Sequence, residues 1–201
     1  MKKYELTDIT IEQSGVTLYR IRAVRAIKAL GIKKGDLGGY VEKGENLSQS
    51  GAAWISGNAS VSGDARVCGD AWISGAAWIS GNASVCGDAR VCGDARVYGN
   101  ARVYGNARVC GDASVSGNAR VYGNASVSGD ADIIWCSKIG SRLDTTTAFI
   151  EKDGGVKIVC GCFCGMLNEF ERKVEETHGD NIYGKEYKAF IELIKIHFGK
   201  V

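Results

Sequence analysis

From Gly51 to Ile134 the chain repeats a six-residue unit, G-[N/D/A]-A-x-[V/I]-x, fourteen times without an insertion. Alanine fills the third place in every unit, from Ala53 to Ala131, and Val or Ile fills the fifth, from Ile55 to Ile133. Self-similarity this strict marks a repeat architecture. Within each unit A-x-[V/I] alternates a small inward residue, an outward residue and a branched inward residue, which is the period of a short strand. Gly with Asn or Asp then supplies a corner, because these residues tolerate left-handed backbone conformations. A strand and a corner every six residues describe a triangular coil, with three units to a turn. The expected object is an all-β solenoid of about five coils, about 22 Å long at the usual strand spacing of about 4.8 Å.

In such a coil, residues eighteen apart lie above one another. Trp54, Trp72, Arg90 and Arg108 form one outward column. Arg66, Ser84, Arg102 and Arg120 form another, and Cys68, Cys86, Tyr104 and Tyr122 run beside it. Asn82, Asn100 and Asn118 predict an amide ladder, since like side chains hydrogen-bond along a stacking axis. Arg102, Tyr104, Arg120 and Tyr122 are the candidate ligand site, because Arg offers forked donors to phosphate and Tyr a stacking plane. A nucleotide or another anion is the ligand such a strip would take.

Composition narrows the setting. Gly is 28 and Pro is 0, which excludes collagen and Pro-rich linkers. The net charge of +2 does not mark the whole chain as a nucleic-acid binder. The opening MKKYELTDIT carries no apolar run behind its lysines, and no apolar stretch is long enough to span a bilayer. The expectation is therefore a cytoplasmic protein with no membrane partner, whose eight cysteines are reduced thiols. The stacked pairs Cys68–Cys86 and Cys92–Cys110 lie within disulfide reach but read, in a reducing cytosol, as small outward side chains.

Residues 1–50 read as an N-terminal β-rich cap, residues 51–134 as the repeat, and residues 135–201 as a small α+β cap that also serves self-association. Val41 and Leu47 are six apart, so the coil can begin before Gly51. The basic residues Arg20, Arg22 and Arg25 are the candidate site for an acidic protein partner. In the terminal unit GGVKIVCGCFCG reads as one strand with Cys160, Cys162 and Cys164 to one side. That run lacks the paired spacing of zinc sites, and no metal is assigned to it. Leu167, Phe170 and Val174 mark a helix around 166–177 with Gly179 as its C-cap. Tyr187, Phe190, Ile191, Ile194 and Phe198 mark a second helix, with THGDN as the loop between.

At this point the sequence resembles the left-handed parallel β-helix of hexapeptide-repeat proteins. The handedness is what that resemblance implies, since parallel connections are otherwise right-handed. The flanks, LYRIRAVRAI…KKGDLGGYVEKGENLSQSGAAWISGNASVSGDARV and SKIGSRLDTTTAFIEKDGGVKIVCGCFCGMLNEFERKVEETHGDN, are similar to those of bacterial and prophage hexapeptide-repeat proteins, some labelled transferases from the fold alone. The resemblance implies a phage or prophage accessory protein and supplies no catalytic residue.

Enzymes built on this solenoid need histidines in or beside the coils. The acyltransferases use a histidine base, and the gamma-class carbonic anhydrases use three histidines on zinc. The repeat contains no His, and the only two are His178 and His197 in the terminal unit. His178 follows a helix and precedes Gly179 and Asp180, which favours a capping or exposed residue over a base. No cofactor motif is present and no catalytic residue is assigned. The expected function is a non-enzymatic scaffold that binds a host-encoded protein, such as a defence component, and associates with itself as a dimer or trimer. An anion binder and an acyltransferase are the alternatives.

Overall fold

In the computed structural model, which describes residues 2–199, the chain opens with an antiparallel hairpin. Strands β1 (Tyr4–Gln13) and β2 (Val16–Ala23) turn at Ser14 and Gly15, both with left-handed φ, which suits the twist of a two-residue hairpin. Strand β3 (Leu37–Val41) pairs antiparallel with β2 on one side. On its other side it pairs parallel with the coil, Tyr40 opposite Ser60 and Val41 opposite Val61. The hairpin thus extends one face of the solenoid into a seven-stranded sheet.

Thirteen two-residue strands follow at six-residue intervals, from β4 (Trp54–Ile55) to β16 (Ser126–Val127). Every third strand pairs with the next in parallel register, so three sheets form the three faces of a prism. On the first face Val41, Val61, Ile79, Val97 and Val115 stack inward; on the second, Ile55, Ile73, Val91, Val109 and Val127; on the third, Val67, Val85, Val103 and Val121. All of these, and the alanines two residues before the repeat Val/Ile residues, are buried. An outward residue on one coil donates its amide to the carbonyl seventeen residues on, as Arg90 to Ala107 and Arg102 to Ala119, each at 2.9 Å. The corners demand glycine for two reasons. Gly87 has a φ of 74°, and a Cβ there would lie 3.0 Å from the backbone nitrogen of Gly105 on the coil above.

The coil begins before the strict repeat. Val41 and Leu47 lie opposite Val61 and Val67, twenty residues on instead of eighteen. The two extra residues fall after Leu47, where Gln49 turns toward the N-terminus and accepts from the backbone amide of Lys3 at 2.7 Å.

The fourteenth unit does not make a fourteenth coil strand. Gly129 is extended, with a φ of −158°, and Asp130–Asp132 form a 3-10 turn that leaves Ala131 exposed. The cause lies in the two aspartates. Asp130 accepts from the Ser114 amide at 2.7 Å, in place of the carbonyl that a further coil would supply, and Asp132 accepts from the Ser128 amide at 2.7 Å.

The chain then forms a four-stranded antiparallel meander, β17 (Ile133–Ile139), β18 (Asp144–Ile150), β19 (Val156–Cys160) and β20 (Phe163–Met166). Two helices follow, α1 (Leu167–His178) and α2 (Ile182–His197). The meander is a two-sided plug. Ile133, Phe149 and Val159 pack into the solenoid core, while Ala148, Val156 and Ile158 pack with Phe170, Val174, Tyr187, Phe190, Ile191 and Ile194 of the helices. The period of two along a strand sends alternate residues to the two cores. Thr147, on the solenoid side, accepts from the Arg120 amide at 3.1 Å, again replacing an absent coil.

Two expectations for this unit need adjusting. Residues 154–165 are not one strand but two, because Gly161 takes a φ of 58° and Cys160 pairs back on Phe163. The helices follow the predicted stripes, and Gly179 closes α1 by donating to Glu175. Within the predicted loop, Asn181 starts α2 by accepting from the Gly184 amide at 2.9 Å.

The opposite end is closed by donors. The Asn46 side chain donates to the carbonyls of Gly63 and Ala65 at 3.0 and 2.9 Å. The ammonium of Lys3, fully buried, donates to the carbonyl of Ala53 at 2.7 Å. Burial, with Arg25 nearby, lowers its pKa from 10.5 to about 8. The unfolded chain then holds this proton more tightly than the folded one, so stability is lowest below pH 8 and rises toward pH 10.5. Between pH 8 and 10, denaturant titrations should show a gain of about 1–3 kcal/mol, at a slope no steeper than about 1.4 kcal/mol per pH unit. The window stops at pH 10 because the buried Tyr4 hydroxyl, raised to about 12, contributes stability that is lost above it. Lys3→Met should flatten the rise; an equal rise in that variant would contradict the assignment.

Candidate functional site

The outward positions of the coils are the surface on which function must be built. Their columns are those the repeat predicts. Trp54 pairs with Trp72, Trp72 with Arg90, and Arg90 with Arg108. Trp54 is fully buried within the cluster that also contains Ile27, Leu30 and Ile32, while Trp72 donates its indole N–H to Ser56 and lies beneath the Arg90 guanidinium at 5.8 Å. The amide ladder is present, with Asn82 donating to Asn100 at 3.1 Å and Asn100 to Asn118 at 3.0 Å.

The candidate ligand strip is partly consumed by the fold. Tyr104 and Tyr122 stack with ring centroids 5.5 Å apart, while Arg102 is exposed and Arg120 half-buried. Tyr122 also packs against the solenoid core, and burial raises its pKa. Arg120 reaches Asp144 of β18 at 3.6 Å. The plug therefore engages the last coil of the strip, and only Arg102 and Tyr104 face outward without a charged partner from it.

The N-terminal candidates are likewise unequal. Arg20 donates to the Gly38 carbonyl and lies over Tyr40. Arg22 chelates the Glu5 carboxylate through two nitrogens, at 2.9 and 2.6 Å. Arg25 is exposed and is the one of the three without an ion pair or hydrogen bond among the described residues.

Sequence reasoning missed a larger pattern. Arg90, Arg96, Arg102 and Arg108 are consecutive outward residues, one on each face and then one more on the first of those faces. They form a belt once around the prism. All four are exposed and, among the described residues, none is in an ion pair. The signal was visible as the run of Arg-Val dipeptides six apart; reading the columns alone hid it.

The cysteines overturn the expectation of eight thiols. Cys68 is bonded to Cys86 on the third face and Cys92 to Cys110 on the second, with Cα atoms 4.7 and 4.6 Å apart. Parallel register puts the same outward position of neighbouring coils face to face, so the stacking that argued for small side chains also brings the sulfurs together. Cys136, Cys160, Cys162 and Cys164 are free. Cys160 accepts from Thr146 at 3.2 Å and lies 3.6 Å from the Tyr187 hydroxyl. Burial first, and then the contact with Cys160, raises the Tyr187 pKa.

His178 ends α1 and tilts against the Tyr187 ring at 5.6 Å, in a shallow cavity of about 470 Å³ that also exposes Arg142, Cys162 and Lys173. His197 ends α2 against Phe198. Among the described residues no group of three His, Cys, Asp or Glu is placed to hold a metal ion, and no helix is long and apolar enough to cross a membrane.

Faces, corners and closed ends together define a β-solenoid repeat protein. Four overlapping segments, residues 89–102, 95–111, 101–117 and 113–129, match the family model described as the YdcK Beta solenoid repeat. These segments contain the arginine belt. No curated protein matches the chain.

Thiol titration of the unfolded, unreduced protein should count four thiols per chain, and eight after reduction. Each disulfide closes an eighteen-residue separation. Reduction of either should lower stability by about 3 kcal/mol on the chain-entropy scale, read as a lower thermal midpoint.

Proposed function

We propose that this chain is a non-enzymatic β-solenoid scaffold whose arginine belt engages an acidic protein surface. The observation that carries the reading is the set of exposed arginines 90, 96, 102 and 108, which have no ion pair among the described residues. Rigid, forked and unpaired guanidiniums suit carboxylate recognition and favour fast, salt-sensitive encounter. The hexapeptide-repeat and prophage resemblance of the flanks supports a phage-type accessory protein with a host-encoded partner. Arg25 adds to the basic surface at the N-terminal end. A display role needs no proton-transfer group on the coils, and both histidines lie at helix ends outside the repeat.

A pull-down from host lysate with the immobilised chain, read by mass spectrometry, tests this. A partner should be retained at low salt and lost when Arg96, Arg102 and Arg108 are all replaced by Ala. Identical recovery by the neutralised variant refutes the belt as the interface. Acyl-donor turnover by the purified chain that disappears in His178→Ala would refute the non-enzymatic reading.

Self-association is supported by a second surface. On α2, Ile182, Ala189, Leu193 and Ile196 line one outer face, with Ile196 67% exposed. An apolar stripe of this kind on a soluble surface favours association. Light scattering should give a dimer or trimer that Leu193→Glu/Ile196→Glu dissociates; a monomer at every concentration contradicts it.

A further inference from the structure

The second face of the solenoid and the turn between β18 and β19 enclose an open groove of about 810 Å³. Arg90 and Arg108 line its coil wall, in register on neighbouring strands. Lys152 stands on the opposite wall, in the turn. Two like charges held one strand spacing apart repel, and nothing in the fold offsets these two by an ion pair among the described residues. The disulfide Cys92–Cys110 lies two residues beyond the pair and ties together the very strands that carry it. The guanidiniums are therefore held side by side by a covalent link as well as by the backbone ladder.

The carboxylates around the groove do not cancel this charge. Glu151 is occupied by Lys157 at 2.7 Å, and the same contact raises the lysine pKa. Asp153 turns back to accept from the Gly155 amide at 3.1 Å. Asp88 remains at the corner beside Arg90. With Glu151 and Lys157 paired, three cations face two carboxylates, and the cations are on both walls.

We propose that this groove binds a diphosphate-type anion, with Arg90 and Arg108 each taking one of two adjacent phosphoryl groups and Lys152 closing over them. Two forked donors at strand spacing suit two linked anionic groups better than a single orthophosphate, and a groove of this size accommodates a nucleotide-sized molecule. The amides of Asn106 and Asn124 lie along the same wall as further polar contacts. The inference shares Arg90 and Arg108 with the belt but needs no protein partner, so binding by the purified chain and failure of the pull-down are separate results.

Calorimetry of the purified, oxidised chain with inorganic pyrophosphate is the test. One site per chain is expected, with orthophosphate at least tenfold weaker. Arg90→Ala and Arg108→Ala should each weaken pyrophosphate at least tenfold, and Lys152→Ala severalfold. Arg102→Ala, on the neighbouring face, should leave it unchanged. Circular dichroism of these exposed-site variants should match the parent. The proposal is overturned by absence of heat with pyrophosphate, by equal loss in Arg102→Ala, or by a short single-stranded oligonucleotide that binds more tightly and depends on Arg102 as much as on Arg90. The last two results would assign the affinity to the diffuse field of the belt instead of to the groove.

Discussion

Everything in this molecule depends on one backbone constraint. Each coil satisfies the next through the ladder of amides donating seventeen residues ahead, so the first and last coils must find partners elsewhere. The chain meets that need at both ends with different chemistry. Lys3 and Asn46 bring donors to the carbonyls of the first complete coil, and Asp130, Asp132 and Thr147 bring acceptors to amides of the last. Apolar plugs, Ile21 and Val41 at one end and Phe149 and Val159 at the other, then seal the prism. The flanks exist to finish a structure that the repeat alone leaves open.

Closure of the interior determines where function can reside. Alanine and Val or Ile fill the prism from wall to wall, with no exposure along the coils, so no ligand can enter it. What remains is the outer surface and the notch where the plug meets the coil. The outer columns divide into those that stabilise, such as the Asn ladder and the Trp72–Arg90 contact, and those that carry uncompensated charge. Of the belt arginines, Arg96, Arg102 and Arg108 fall in the second class and Arg90 belongs to both, and their spacing is set by the repeat to within a strand width.

The repeat was almost wholly legible in the sequence because its period, its inward residues and its corner residues are all local. Columns such as Trp54–Trp72 and Arg102–Arg120 followed from adding eighteen. The stripes of α1 and α2 were legible for the same reason. What escaped was non-local. The fourteenth unit keeps the pattern of the others, and only its two aspartates, turning back on Ser114 and Ser128, end the coil. Gly161 could be read as a strand residue until its partner strand was known. The Arg120–Asp144 contact, which removes part of the candidate strip, depends on where the plug docks, and no periodicity encodes that. The cysteine pairing was visible as geometry but was set aside on an argument from compartment, which concerns the cell and not the chain.

The two disulfides sit on different faces and follow one another along the chain, from Cys68 to Cys86 and from Cys92 to Cys110. Under a pulling force on the termini, the coils outside this interval can peel off one at a time, each releasing its eighteen residues of slack. Inside it, two covalent loops withhold their contour length from the extension. The middle of the rod, which bears the arginine belt, is thereby the part of the molecule best protected from mechanical unravelling.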